Sequence, residues 1–241
     1  MRLDKAVTMM GFSRSEARQA VRQGRVSVNG RIAADSSLQL RESDCVTLDG
    51  QSVDRRLHRH FMVNKPAGCL TATSDPHGKK TVLDLLPQSL HLKDLGPVGR
   101  LDQDVTGLVI LTTDGELAHR LISPKRGIEK QYFAEVEGKL GKNDILAFKK
   151  GISLSDFTAK PARLEILSTS EERSVCRVFV SEGKFHQVKR MLSSLGHPVI
   201  MLKREQIAGL QLDESLDEGA YRPLTDEEIA LLYGKAGMDQ P

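Results

Sequence analysis

The chain has no tryptophan, three cysteines and ten aromatic residues in 241. Cys45, Cys69 and Cys176 stand far apart without a C-x-x-C pair, which excludes a disulfide framework and a zinc knuckle. No run approaches about 18 apolar residues, so no membrane span is expected. Charge enters every turn of MRLDKAVTMMG, so no secretory leader is expected either. Also missing are a phosphate-binding G-x-x-x-x-G-K loop, a G-x-G-x-x-G fingerprint and a metal-ligand cluster. The sequence therefore offers no handle for nucleotide hydrolysis, dinucleotide redox chemistry or metal catalysis. Internal repeats and low-complexity tracts are absent. What remains, 39% hydrophobic and 28% charged, suffices to bury the core of one large or two smaller domains, and a cytoplasmic protein is expected.

The net charge is only +3, but it is unevenly placed. Residues 1–60 carry 11 Lys and Arg against 7 Asp and Glu, while the other 181 carry 24 against 25. Such asymmetry points to a nucleic-acid-facing module joined to a near-neutral body. Leu3, Ala6, Val7 and Met10 repeat at i, i+3, i+4, i+7 and predict a short amphipathic helix over 2–10. Ser13 and Glu16 form a capping box that opens a second helix over 14–23, with Ala17, Ala20 and Val21 as its apolar face. Arg14, Arg18 and Arg22 recur every four residues along one flank, and Arg25 follows just beyond. Like charges at that spacing cost a lone helix roughly a few tenths of a kcal/mol each, so a stripe with few acidic partners is better explained by phosphates than by folding. VSVNGRIA then alternates around Asn29-Gly30, a type I′ hairpin signal, and a further strand over 45–48 ends at Asp49-Gly50.

Helix, basic helix and hairpin together resemble the S4 RNA-binding domain. The likeness rests on RLDK near the start and on Ser13, Ala17, Val21, Gly24, Val26, Val28, Asn29 and Gly30. It covers residues 1–49 and implies recognition of folded RNA by shape and backbone contacts. Residues 50–60 (GQSVDRRLHRH) are polar and aperiodic and are expected to form a solvated linker. His58 and His60 belong to it, since no carboxylate or cysteine partner completes a metal site.

Beyond the linker, from 61 to 234, short strands alternate with helices. Strands are predicted over 61–64, 108–112, 131–137, 162–167, 175–180 and 198–202, and helices over 115–122, 143–149, 185–195 and 226–233. The last helix opens on a second capping box, Thr225 with Glu228. More strands than helices, with hairpin-length links, predict an α+β body whose mixed sheet is mostly antiparallel and flanked by helices. Residues 235–241 are expected to be a frayed tail.

One loop stands out. Gly99-Arg100-Leu101-Asp102-Gln103-Asp104-Val105-Thr106-Gly107 sets a charged segment between glycines, directly before the aliphatic strand 108–112. Ordinary turn chemistry is one account, because Asp and Thr are natural in loops. A second is a phosphatase of the haloacid-dehalogenase type, since Asp102 to Thr106 spells D-x-D-x-T. That chemistry needs its aspartates after a hydrophobic strand, and here the strand follows the motif. The third account fits throughout. GRLDxDxTGL closely resembles the catalytic motif of the RsuA-type ribosomal RNA pseudouridine synthases. NKPAG (64–68), KQY (130–132), EGKFHQVKRM (182–191) and YRPLTDEEI (221–229) resemble that family's other motifs, in the same order. Val105 departs from the pattern, standing where the family usually has Thr, and Lys184 and Lys189 occupy positions where Arg or Lys occurs.

The resemblance implies isomerisation of a uridine already in RNA: the N-glycosidic bond breaks, uracil turns, and a C1′–C5 bond forms. It implies no cofactor and no metal. Asp102 matches the catalytic aspartate, which must be ionised whether it adds to the sugar, adds to the base or removes the 2′ proton; these routes stay open. Lys189 matches the basic residue that pairs with it. Tyr132 matches the active-site tyrosine, with a ring able to stack on uracil and a hydroxyl able to assist proton removal at C5. Lys184 and Arg190, which points about 100° away from Lys189, are expected at phosphates, Arg190 alternatively at structure. Arg100 is expected as a wedge or phosphate clamp while the target nucleotide is flipped. His186 is expected as a structural hydrogen-bonder rather than a general base, and Lys65 and Pro66 as shaping the sheet beneath the site. The partner implied is ribosomal RNA, most readily 16S RNA in an assembling small subunit, with the chain a monomer away from membranes. Large-subunit 23S RNA, and a non-catalytic S4-type assembly factor, are the alternatives.

Overall fold

The computed structural model describes residues 1–41, 43–53 and 57–240. The chain forms two compact units, Met1–Leu57 and His58–Pro241. Residues 54–56 of the predicted linker lie outside the described residues. Its flanks are ordered: Gln51–Ser52 pair as a strand, Val53 is buried in the first unit's core, and His60 begins a buried strand of the second.

In the first unit α1 (Leu3–Thr8) and α2 (Arg14–Arg22) pack on a sheet of β1 (Val26–Val28), β2 (Arg31–Ile32), β3 (Val46–Leu48) and β4 (Gln51–Ser52), in the order β2-β1-β3-β4. Leu3, Ala6 and Val7 meet Ala17, Ala20, Val21, Val26 and Leu48 in its core. The capping box forms as expected: Glu16 N–H donates to Ser13 Oγ, and Ser13 N–H to Glu16 Oε2. Asn29 and Gly30 both hold positive φ, 52° and 76°, as a type I′ turn demands. α1 is shorter than its periodicity predicts, because Met9, Met10 and Gly11 turn out of it through 3₁₀-type hydrogen bonds.

In the second unit β5 (His60–Lys65), β6 (Gly96–Pro97), β7 (Thr106–Thr112), α3 (Gly115–Ile122), β8 (Lys130–Glu137), α4 (Lys142–Lys150), β9 (Arg163–Thr169), β10 (Arg173–Val180), α5 (Gln187–Ser194), β11 (Val199–Ile207), β12 (Leu210–Gln211), β13 (Tyr221–Pro223) and α6 (Asp226–Ala236) follow one another. The sheet runs β13-β5-β7-β11-β8-β10-β9, with β12 beside β11 and β6 beside β7. Every pairing is antiparallel except β7 with β11, so the α+β reading with a mostly antiparallel sheet holds.

The two central strands feed both faces. Phe61, Val63, Val109 and Leu111 enter one core, and Met62, Leu108 and Ile110 the other, by the strict alternation of a strand. Burial on both faces is why these stretches read as unbroken apolar runs. α6 packs on the second core and runs to Ala236, which is fully buried, with Gly237 in the left-handed conformation closing it. The tail expected to fray at 235 is thus helical for two further residues, and Arg120 donates to the Gly237 carbonyl at 3.0 Å. No helix among the described residues is long and apolar enough to cross a membrane.

Candidate active site

The loop 99–105 leads straight into β7; Thr71 and Gly68 hydrogen-bond to Leu101 and Gln103 within it, and two further features fix it there. Gly107, at φ +100°, lies against β11: a Cβ on it would stand 2.3 Å from the Arg204 carbonyl oxygen, so only glycine lets the parallel β7–β11 pair close. The second is Lys65, at the end of β5 and fully buried. Its ammonium donates to the carbonyls of Pro66 (3.0 Å), Gln103 (3.1 Å) and Val105 (2.7 Å). Two of those carbonyls belong to the loop, so Lys65 pins the backbone on both sides of Asp104. Burial lowers its pKa from the ordinary lysine range, against the opposing pull of nearby groups including Asp104 and Asp102. The expectation that Lys65 shapes the floor of the site rather than reacts matches this geometry.

Asp102, Tyr132 of β8 and Lys189 of α5 line one cleft, together with Arg100, Lys184, His186 and Gln187. Residues far apart in sequence are brought to one place by the sheet order, in which only β11 lies between β7 and β8. Asp102 is 30% exposed at its side chain, with His186 Nε2 at 3.5 Å and Lys189 Nζ at 3.7 Å. Its carboxylate is therefore flanked by positive or potentially positive groups yet open to an incoming ligand.

Two expectations need adjusting here. Lys189 ion-pairs with Asp102 at 3.7 Å, as the resemblance implies, but its ammonium is held more closely by Asp104, taking both oxygens at 2.6 and 2.7 Å. That hydrogen bond, above all, holds the Asp104 carboxyl below the usual carboxylate range. The ammonium thus lies between the two carboxylates of D-x-D, where the phosphatase reading would need a metal ion. His186 is the other correction. Its ring faces Asp102 and stacks on Phe185 instead of hydrogen-bonding to structure.

The structural work at this turn falls to Glu182 and Gln187. Buried Glu182 accepts from Lys160 N–H (2.7 Å) and Gln187 Nε2 (2.8 Å), while Gln187 Oε1 accepts from Lys184 N–H (3.0 Å). Arg190 is drawn away from the cleft, ion-paired to Asp156 and lying over the Phe157 ring, which satisfies its structural alternative. Lys184 and Arg100 are exposed at the cleft mouth, Lys184 with its ammonium 5.6 Å above Phe157.

Beneath Tyr132 lie two more buried cations that sequence reading did not single out. Arg204 of β11 sits opposite Tyr132 and donates to the Leu108 carbonyl at 2.8 Å. Lys130 donates to the Ile128 carbonyl at 2.7 Å, and burial, then the charge of Arg204, pushes it down to about 8. The unfolded chain keeps that proton up to about pH 10, so stability gains from this group as pH rises from about 8 toward about 10. Lys130→Met should flatten that part of the stability curve in denaturant titrations.

His58 and His60, expected in a solvated linker, are ordered. His60 is buried, 2.8 Å from Thr112 Oγ1 and edge-on to Tyr233, and His58 Nε2 lies 3.7 Å from Asp114. Among the described residues no group of three His, Cys, Asp or Glu is placed to hold a metal ion.

In the first unit Arg14, Arg18, Arg22 and Arg25 are all exposed. Arg18 has Asp4 at 3.7 Å and Arg25 grips Asp49 through three hydrogen bonds, whereas Arg14 and Arg22 make no ion pair among the described residues. Arg2, Lys5, Arg14 and Arg18 share one hollow with Asp4. If these arginines meet phosphates, as the resemblance to the S4 domain implies, replacing Arg14, Arg18 and Arg22 with Gln weakens binding to many structured RNAs about equally and flattens the log–log salt dependence by about two units, at roughly 0.7–0.9 per lost phosphate contact. Filter binding over a salt series measures both.

The chain is similar to known proteins along nearly its whole length. Residues 59–194 match the family model described as RNA pseudouridylate synthase, and residues 1–46 match the S4 domain. Over 235 residues the chain is 41% identical to ribosomal small subunit pseudouridine synthase A of Escherichia coli, covering 95% of this chain and 99% of that one. It is 36% identical over 241 residues to ribosomal large subunit pseudouridine synthase B of Bacillus subtilis, covering 98% and 96%. A crystal structure of a pseudouridylate synthase superposes with a TM-score of 0.68 at 39% identity, covering 96% of this chain and 99% of that one.

Proposed function

The chain belongs to the RNA pseudouridylate synthase family, and from that premise we propose that it converts one uridine of small-subunit ribosomal RNA to pseudouridine with Asp102 as the reacting carboxylate. The observation that carries the assignment to Asp102 is the difference between the two loop carboxylates. Asp104 holds the Lys189 ammonium with both oxygens and otherwise faces outward, 75% exposed, whereas Asp102, 30% exposed, lines the same cleft as Tyr132 and has no cation closer than 3.5 Å.

The reaction keeps every atom of the uridine. The C1′–N1 bond breaks, C1′–C5 forms, the proton on C5 leaves and N1 ends protonated. A carboxylate near the ribose serves any of the open routes, by adding to the ring or the sugar or by taking the 2′ proton. Each needs it ionised, and Lys189 at 3.7 Å supplies the favourable charge. Tyr132, on the same cleft, is assigned to hold the uracil by its ring and to help the C5 proton leave. Arg100 and Lys184, exposed at the mouth, are assigned to phosphates of the flipped nucleotide and its neighbours, and Arg14, Arg18, Arg22 and Arg25 to the RNA backbone at the S4 domain.

Identity to small-subunit synthases from several bacteria supports the small subunit over the large, for which the Bacillus relative is less similar. The proposal extends to a cytoplasmic monomer that meets its RNA in an assembling small subunit. Its test is pseudouridine mapping of ribosomal RNA from cells lacking the chain. One small-subunit pseudouridine should vanish and return with the wild-type gene; an unchanged small-subunit map contradicts the proposal.

A further inference from the structure

Phe185 is the one exposed aromatic side chain among the described residues, at 73% exposure. It stands on the turn that closes the cleft. Its ring lies 3.7 Å from that of His186, tilted by only 19°, and His186 in turn faces Asp102 at 3.5 Å. One face of the phenyl ring is thus covered by imidazole and the other is open to solvent. The turn is not loose: His186 is held at a positive φ of 49°, a conformation costly for a residue with a Cβ, and the Glu182–Gln187–Lys184 hydrogen bonds brace it on both sides. Lys184, Lys189 and Arg100 surround the same cleft mouth with positive charge.

An apolar ring so presented, braced, half-stacked and set beside a cleft lined by Arg100 and Lys184, matches a nucleobase flanked by phosphates. Flipping a nucleotide out of its stack leaves the bases beside it with an open face, and unstacked bases settle on aromatic side chains in RNA complexes. We propose that Phe185 is a positioning residue whose free face stacks on a base adjacent to the target uridine, holding the opened RNA in register while Asp102 acts. This rests on the RNA-modifying reading above. Because every base has a π-face, the contact adds affinity and register without selecting a sequence.

The test compares wild type with Phe185→Ala, Phe185→Leu, Phe185→Tyr and Phe185→Trp on a small-subunit rRNA transcript, following Kd, KM and kcat. Loss of one base–aromatic stack, worth about 1–3 kcal/mol, corresponds to a rise in Kd and KM of roughly 5- to 150-fold. Phe185→Ala and Phe185→Leu should show it, Phe185→Tyr and Phe185→Trp should not, and the salt slope should stay unchanged because no phosphate contact is lost. In RNA carrying an abasic residue at each flanking position in turn, one position should penalise wild type by the same factor and leave Phe185→Ala unaffected. An unaltered Kd for Phe185→Ala, or full rescue by leucine, overturns the proposal and makes Phe185 a plain apolar contact. If wild type leaves small-subunit RNA unmodified but modifies the large-subunit transcript, the substrate assignment fails, and the same comparison on that transcript still decides the role of Phe185.

Discussion

Asp102→Asn should lower pseudouridine formation by at least about a thousandfold, equivalent to about 4 kcal/mol of lost transition-state stabilisation, while RNA binding stays within a few-fold. The substitution keeps shape and removes charge. Because the Asp102 side chain lies at the edge of the cleft and holds no other residue at hydrogen-bond distance, the fold should be untouched. Asp104→Asn is the informative contrast. It frees Lys189 from its two short hydrogen bonds and leaves Asp102 as the remaining carboxylate for that ammonium. Turnover should then stay within about tenfold of wild type. Single-turnover rates on one RNA preparation decide the matter. If Asp104→Asn abolished turnover and Asp102→Asn spared it, the roles assigned to the two loop carboxylates would be reversed.

Lys65→Met should give the second large effect, through position rather than chemistry. The methionine fills a similar volume but takes the Lys65 donor from the carbonyls of Pro66 and Val105, while that of Gln103 keeps the Gly68 N–H at 2.8 Å. Each unsatisfied buried acceptor costs about 1–3 kcal/mol, offset in part because a desolvated ammonium is itself costly to bury. A net destabilisation of about 2–4 kcal/mol is expected. Since the loop backbone is held at Gln103 and Val105, the Asp102 carboxylate should also shift, and a displacement of about 1 Å is enough to cost roughly a hundredfold in rate. The signature is a fall in kcat larger than the rise in KM, measured well below the melting temperature. Wild-type kcat in a folded Lys65→Met variant would show that the loop holds itself.

These expectations depend on contacts of very different legibility. The Ser13–Glu16 and Thr225–Glu228 boxes and the Asn29-Gly30 turn were readable because each is closed by residues three or fewer apart, whose chemistry dictates the backbone. The Asp102 loop was readable by resemblance, and Tyr132 and Lys189 do reach its cleft. The Lys189–Asp104 pair spans 85 residues and depends on how α5 sits over the loop, which no local pattern encodes. β11 runs to Ile207 and not to 202, although Lys203, Arg204 and Glu205 do not look like strand residues; the strand is stabilised there by β7 and β8 and by the Arg204 guanidinium bonded to Leu108. His60 reads as polar linker until the fold places it between Thr112 and Tyr233. Even Gly107, plainly part of the loop motif, shows its purpose only when the Arg204 carbonyl is found against it.

Isomerisation of a small-subunit uridine at Asp102 is put to the test by incubating purified wild-type chain and Asp102→Asn with full-length small- and large-subunit transcripts and quantifying pseudouridine by mass spectrometry of the digested RNA. One pseudouridine per small-subunit molecule is expected with wild type, none with Asp102→Asn, and none in the large-subunit transcript. Pseudouridine confined to the large-subunit transcript, or formed equally well by Asp102→Asn, would contradict this assignment.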